Sequence, residues 1–188
     1  MLPLGLHVSA ALHYLSQEDV VHLDVKPGNI VMGAPPRLID MSIWRTKESA
    51  HKSSGGMGTR LYMAPEQCDP KKWGPIGSPA DVWGVGVTLY EALTGRRPFS
   101  SSKLKSALTS DPAEIPEDSP VRKYPQLTQE PATFPKNVPE PLAEMIMRTL
   151  NKTQEERPRA DELARFLEEP TARVPRPAKS GTRPKLTR

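Results

Sequence analysis

Between Ser78 and Gly95 the chain reads SPADVWGVGVTLYEALTG, a helical stretch with almost no polar face. Its start is spelled out: a serine to cap, Pro79 at the first helical position, where a missing N–H costs nothing, and the acid Asp81 three residues after the cap. Gly95 closes it. Gly84 and Gly86 inside the helix each cost roughly 1 kcal/mol against alanine. A helix that is apolar all round is stable only when other elements surround it, so the remaining sequence has to supply a shell around this rod. With 188 residues there is material for one such core and not comfortably for two.

The shell can be read in pieces. Leu4, Val8, Ala11, Leu12 and Leu15 recur at helical spacing over the first seventeen residues. Val20-Val21 is a short strand, and Ile30-Val31-Met32 with Leu38-Ile39 flank the turn Gly33-Ala34-Pro35-Pro36 as a small hairpin. Met41 to Gly58 is polar and predicts a long loop without elements. Eight prolines interrupt Asp111 to Pro141, so that stretch cannot be regular throughout. Leu142, Met145, Ile146 and Leu150 mark another helix, and Leu163, Phe166 and Leu167 a last one. The expected organisation is one domain over residues 1–169, mainly α with a small β-hairpin, followed by a basic, proline-containing, disordered tail over 170–188.

Charge excludes some functions once it is localised. The net charge is +4, but six of the 26 lysines and arginines lie between Thr171 and Arg188 with no acid among them. The remainder holds 20 bases against 22 acids, unlike the basic surface of a nucleic-acid domain. No apolar run reaches the roughly eighteen residues of a membrane span. The single cysteine, Cys68, permits no internal disulfide and suits a reducing, cytoplasmic setting.

The chemistry concentrates in HLDVKPGNIV, His22 to Val31. Asp24 and Lys26, one residue apart in an extended loop, can face one substrate: a carboxylate to accept a hydroxyl proton and an ammonium to offset charge on a transferring phosphoryl group. Asn29 offers a neutral oxygen and Asp40 an anionic one, a donor pair suited to Mg²⁺ rather than zinc. The plain alternative is a polar turn, since all these residue types are common in turns.

These residues and the motifs that follow resemble the C-terminal lobe of eukaryotic-type serine/threonine protein kinases. His22, Asp24, Lys26 and Asn29 match the catalytic loop; Asp40 matches the metal-binding aspartate; Gly58-Thr59-Arg60-Leu61-Tyr62-Met63-Ala64-Pro65-Glu66 matches the close of the activation segment. Asp81-Val82-Trp83-Gly84-Val85-Gly86 looks like the start of the buried central helix, and Arg157-Pro158 like the near-terminal arginine. The resemblance implies ATP and Mg²⁺ as cofactors and a protein as substrate. It implies that Asp24 orients and deprotonates the acceptor hydroxyl, Lys26 neutralises the γ-phosphate, and Asn29 and Asp40 hold the metal. Thr59 would touch Asp24 and Lys26 and help seat the acceptor. His22, Glu66, Asp81 and Arg157 would be structural, with Glu66 and Arg157 as a buried ion pair and Asp81 holding the loop backbone.

Three departures qualify that picture. Leu23 replaces the arginine usual beside the catalytic aspartate, so nothing there pairs with a phosphate on Thr46, Ser49, Ser53 or Ser54. Asp40-Met41-Ser42 replaces Asp-Phe-Gly, and Ser42 resists backbone angles that glycine permits. Finally, no G-x-G-x-x-G occurs and no lysine precedes Lys26. The expectation is therefore a kinase-like lobe lacking its N-terminal β-rich lobe, with little activity alone and with a separate N-lobe or a partner kinase as a possible complement. The alternative is a non-catalytic kinase-like interaction module, a pseudokinase or scaffold.

Overall fold

In the computed structural model the structure describes residues 2–99 and 119–169. The expected tail, 170–188, lies outside them, as do residues 111–118 of the proline-rich stretch. The elements run α1 (Leu2–Gln17), β1 (Val20–Val21), β2 (Ile30–Val31), β3 (Arg37–Leu38), β4 (Arg45–Thr46), α2 (Lys47–His51), α3 (Pro65–Cys68), α4 (Pro70–Trp73), α5 (Ser78–Thr94), α6 (Pro120–Lys123), α7 (Glu140–Thr149) and α8 (Ala160–Glu168). Short 3₁₀ turns lie at Pro27–Asn29, Pro125–Leu127 and Gln154–Glu156. About half of the described residues are helical, and the sheets are small and antiparallel.

Every residue of α5 from Ala80 to Tyr90 is buried. The reason lies in two separate apolar clusters that share this helix. Val82, Val85, Leu89 and Tyr90 pack with Leu4, Val8 and Leu12 of α1, Leu142 and Ile146 of α7, and Leu163 and Leu167 of α8. On the other side Ala80, Trp83 and Val87 pack with Val21, Leu23, Ala50, Ile76 and Phe99. Trp83 stacks on Phe99 with ring centroids 5.4 Å apart. Each fully buried aliphatic side chain is worth about 1.5–3 kcal/mol, so a helix with a core on both sides has no use for a polar face.

The glycines of α5 are explained by what lies against them. A Cβ on Gly84 would stand 2.8 Å from Val25 Cβ and 2.9 Å from the Val25 carbonyl oxygen, and one on Gly86 would collide with Thr149 of α7. The first contact brings the His22–Asn29 loop onto the helix; the second brings in α7.

Two expectations need correction. Ser78 does not cap α5: the cap is Gly77, which makes no side-chain bond, and Ser78 is already helical. Asp81 does not complete a capping box either, because its carboxylate is taken by backbone N–H groups of the loop described below. Gly95 does end the helix, at φ 71° with its N–H on the Glu91 carbonyl at 2.8 Å.

The segment Met41 to Gly58 is not devoid of elements. β1 has backbone groups to satisfy, and β4 satisfies them in antiparallel register, Val20 opposite Thr46 and Val21 opposite Arg45. Thr46 then caps α2, its hydroxyl accepting the Ser49 N–H at 3.2 Å. Ala50 alone is buried in α2, which leaves no stripe for a periodicity argument to find. The second sheet is the expected hairpin, shortened to Ile30 opposite Leu38 and Val31 opposite Arg37.

Gly84→Ala gains about 1 kcal/mol of helix propensity but forces a methyl into Val25, where overpacking costs about 1–3 kcal/mol. Urea unfolding should show a net loss of up to about 2 kcal/mol; a gain in stability would mean that the loop is not seated on α5.

Candidate active site

The loop after β1 is fixed from beneath. Asp81 Oδ2 accepts the His22 N–H at 2.8 Å and Oδ1 accepts the Leu23 N–H at 2.7 Å. Leu23 sits at φ 69°, a left-handed angle unfavourable for a branched side chain. It is held there from both ends, because its carbonyl accepts from Gln67 Nε2 at 2.9 Å and its side chain is buried with Val21, Ile76 and Trp83. Gly58 lies close over it: a Cβ at that position would be 2.7 Å from the Leu23 oxygen.

His22 is fully buried and links the loop to the residue before Asp40. Its Nδ1 accepts the Asp24 N–H at 3.3 Å, which leaves Nε2 to donate to the Ile39 carbonyl at 3.2 Å. From the other side the Ile39 N–H reaches the Asn29 carbonyl at 2.8 Å. Asp40 follows directly, exposed and at φ 66°. The left-handed angle thus falls on Asp40 rather than on Ser42, whose N–H bonds Asp40 Oδ1 at 3.2 Å.

Around Asp24 three residues meet. Its Oδ1 accepts the Thr59 N–H at 2.8 Å; its Oδ2 accepts Lys26 Nζ at 2.7 Å and Asn29 Nδ2 at 3.1 Å. Lys26 also donates to Thr59 Oγ1 at 2.6 Å, and Asn29 Nδ2 to the Asp24 carbonyl at 2.9 Å. Burial by itself would raise the Asp24 pKa, but the Lys26 and Thr59 hydrogen bonds outweigh it and hold the carboxyl below its ordinary value. The group is an ionised carboxylate at neutral pH with its donors in place.

The amide nitrogen of Asn29 is spent on Asp24, which leaves its side-chain oxygen as the acceptor available to a cation, and the Asp40 carboxylate is exposed with one backbone bond. Both are hard oxygen donors, and the nearby His22 has both ring nitrogens engaged, so the available set is all oxygen and fits Mg²⁺. Among the described residues no group of three or more His, Cys, Asp or Glu could hold a metal by itself. Oxygens from a bound phosphate would have to complete the shell.

Glu66 and Arg157 form a fully buried bidentate pair, NH1 to Oε1 at 2.6 Å and NH2 to Oε2 at 2.8 Å. The guanidinium also donates to the carbonyls of Asn151, Pro79 and Lys152 at 2.7, 3.0 and 3.2 Å, so all five N–H groups are used. It lies 5.1 Å from the Trp83 ring centroid.

Two glutamines escaped the sequence reading. Gln67 ties Leu23 and Met57 together through Nε2 and takes the Ala64 N–H on Oε1. Gln126 donates to the carbonyls of Arg60 and Met63 at 2.8 and 2.9 Å and to Cys68 Sγ at 3.3 Å. Burial pushes the Cys68 thiol far up, with the Glu66 charge adding to the effect, so the thiol is inert. A cleft of about 400 Å³ lined by Leu12, Ser16, Lys47, Pro79 and Asp161 contains none of the Asp24 group.

A family model for the protein kinase domain matches residues 4–166. The chain belongs to the protein kinase domain family. As a kinase-domain chain it is 33% identical over 171 residues to the serine/threonine-protein kinase PkaA of Streptomyces coelicolor, covering 87% of this chain and 28% of that protein. It is 39% identical over 114 residues to the probable serine/threonine-protein kinase PkwA of Thermomonospora curvata, covering 57% and 15%. A third relative is the dual specificity mitogen-activated protein kinase kinase mek-1 of Caenorhabditis elegans, 33% identical over 131 residues, covering 67% and 37%. The chain therefore spans little more than a third of these relatives at most. No helix among the described residues is long and apolar enough to cross a membrane.

Asp81→Asn should destabilise the kinase domain by about 1–3 kcal/mol, because an amide cannot accept both N–H groups. Burial, opposed by those two N–H bonds, raises the Asp81 pKa from 3.8 to about 6. A raised carboxyl pKa contributes stability below the unfolded value and loses it as pH rises through the folded one. The advantage of the parent chain over Asp81→Asn should accordingly shrink from pH 4 to 6, measured by urea unfolding at each pH. Arg157→Leu strands the Glu66 charge and should cost about 3–5 kcal/mol.

Proposed function

We propose that this chain carries the catalytic and metal-binding residues of a serine/threonine protein kinase, transferring the γ-phosphoryl of ATP to a protein hydroxyl. The observation that carries the reading is the Asp24 carboxylate, held at once by Thr59, Lys26 and Asn29 with a small part, 12%, of its side chain still open. An anion so fixed orients an acceptor hydroxyl and takes its proton. Lys26 stands beside it to offset charge on the transferring phosphoryl group, and Thr59 seats the acceptor. Asn29 and Asp40 would hold Mg²⁺. Mg²⁺-ATP supplies the phosphoryl group and the cation that neutralises it.

The nucleotide-covering part of the site comes from a β-rich half, whether continuous with these residues or on another chain. Two observations support this. The 188 residues contain no Gly-rich phosphate loop and no lysine before Lys26. Val31, Met32, Ile39 and Met41 are exposed at the hairpin beside Asn29 and Asp40, an apolar edge that an adenine ring and a covering lobe would bury. The chain by itself transfers phosphate slowly. A non-catalytic scaffold would need the Glu66–Arg157 frame but not Asp24, Lys26, Asn29 and Asp40 together, so catalysis is the favoured reading.

Phosphate incorporation from Mg-ATP into a generic acceptor protein, with the β-rich half of a related kinase added in trans, tests it. Incorporation should fall by about 10²–10⁴ in Asp24→Asn. Incorporation unchanged by that substitution would overturn the assignment of the base. A complete absence of incorporation, with no nucleotide-induced thermal shift, would leave the scaffold.

A further inference from the structure

We infer that the surface beside Thr59 takes an acidic acceptor segment, with Arg60 as the residue that reads its charge; this rests on the phosphoryl-transfer reading of the same site. Arg60 follows directly after the residue whose N–H and hydroxyl engage Asp24 and Lys26. Its carbonyl is pinned by Gln126 at 2.8 Å, so its backbone is fixed while its side chain stands exposed. Among the described residues Arg60 and Lys123 have no ion-pair partner.

Other charges on this face point the same way. Lys123 ends α6 and is exposed just before the turn that carries Gln126. Arg97, also exposed, lies beside the Tyr62 hydroxyl. Glu91, the acid on the same Tyr62 hydroxyl, is already committed, accepting it at 2.5 Å. Outside residues 171–188 acids outnumber bases 22 to 20, so a run of unpaired cations around the acceptor seat is a matter of placement rather than of composition. A substrate whose hydroxyl reaches Asp24 has to lay its flanking residues across this face. Glutamate or aspartate there would find charge-assisted partners, and lysine or arginine would meet like charge.

The test uses the full chain and two fluorescent peptides with a central serine, one flanked on both sides by Glu and Asp and the other by Gln and Asn. At low ionic strength the acidic peptide should bind about ten-fold more tightly, and the difference should fade with added salt. Arg60→Glu and Lys123→Glu should each remove about three- to five-fold of that preference. Replacing Arg183, Lys185 and Arg188 with Gln should leave it intact. Equal binding of the two peptides overturns the inference, as does a preference lost with the tail substitutions and kept in Arg60→Glu. Tighter binding of a single-stranded oligonucleotide than of the acidic peptide, equally sensitive to Arg60→Glu, also overturns it in favour of a nucleic-acid surface. Adding Mg-ATP together with the β-rich half of a related kinase separates the two readings. Incorporation without charge preference defeats this inference and keeps phosphoryl transfer, whereas charge-dependent binding without incorporation does the reverse.

Discussion

The N–H groups of His22 and Leu23 are buried, and the Asp81 carboxylate on the buried helix accepts both. Neither group has a strand or helix to pair with, so their satisfaction depends on a single side chain placed by α5. The consequences run outward. Leu23 can hold a left-handed angle, Asp24 can turn toward Thr59 and Lys26, and His22 can reach the Ile39 carbonyl and thereby set Asp40. Gly84 lets Val25 come down on the same helix, so the loop is tied by hydrogen bonds at one end and by packing at the other. Burial raises the Asp81 pKa because the charged form is the one that gives up hydration, and the two N–H bonds, which favour that form, offset the rise only in part. The site is therefore bought with electrostatic cost in the core.

A second fixed point keeps the far wall in place. Glu66 belongs to α3, which follows the Thr59 segment, and Arg157 belongs to the turn before α8; their pairing joins the close of the activation segment to the start of α5 through the Pro79 carbonyl. With both charges fully buried, the value of the pair lies in what its loss would strand rather than in net attraction. Leu23 adds to this wall. In the family an arginine is usual there, whereas here an apolar side chain packs with Ala50, Ala64 and Trp83. The segment that carries Thr59 is thus held by apolar burial and by the Gln67 amide, neither of which waits for a phosphate.

Local signals were legible in the sequence and relational ones were not. The stripe of α1, the all-round apolar α5, the stripes of α7 and α8 and the crowded HLDVKPGN loop each lie within one continuous stretch, where period or spacing is readable. β4 and α2 were not, because β4 exists only as the partner of β1 and α2 buries only Ala50. Ser78 has the chemistry of a cap, but the helix begins one residue early and Asp81 is drawn off to the loop. Gln67 and Gln126 hold segments 44 and 66 residues away, respectively, and nothing local distinguishes them from surface glutamines. The basic face around Arg60 was hidden by a charge balance taken along the chain rather than over the surface.

The chain by itself holds the His22–Asn29 loop in the geometry that the proposed phosphoryl transfer requires. Amide hydrogen exchange on the nucleotide-free protein, read at His22, Leu23 and Thr59, tests this most directly, since these three N–H groups have side-chain carboxylates as their acceptors. The account predicts protection at His22 and Leu23 comparable to the interior of α5, lost in Asp81→Asn, with weaker protection at Thr59. Exchange at His22 and Leu23 as fast as in an unstructured loop, while α5 stays protected, would contradict it.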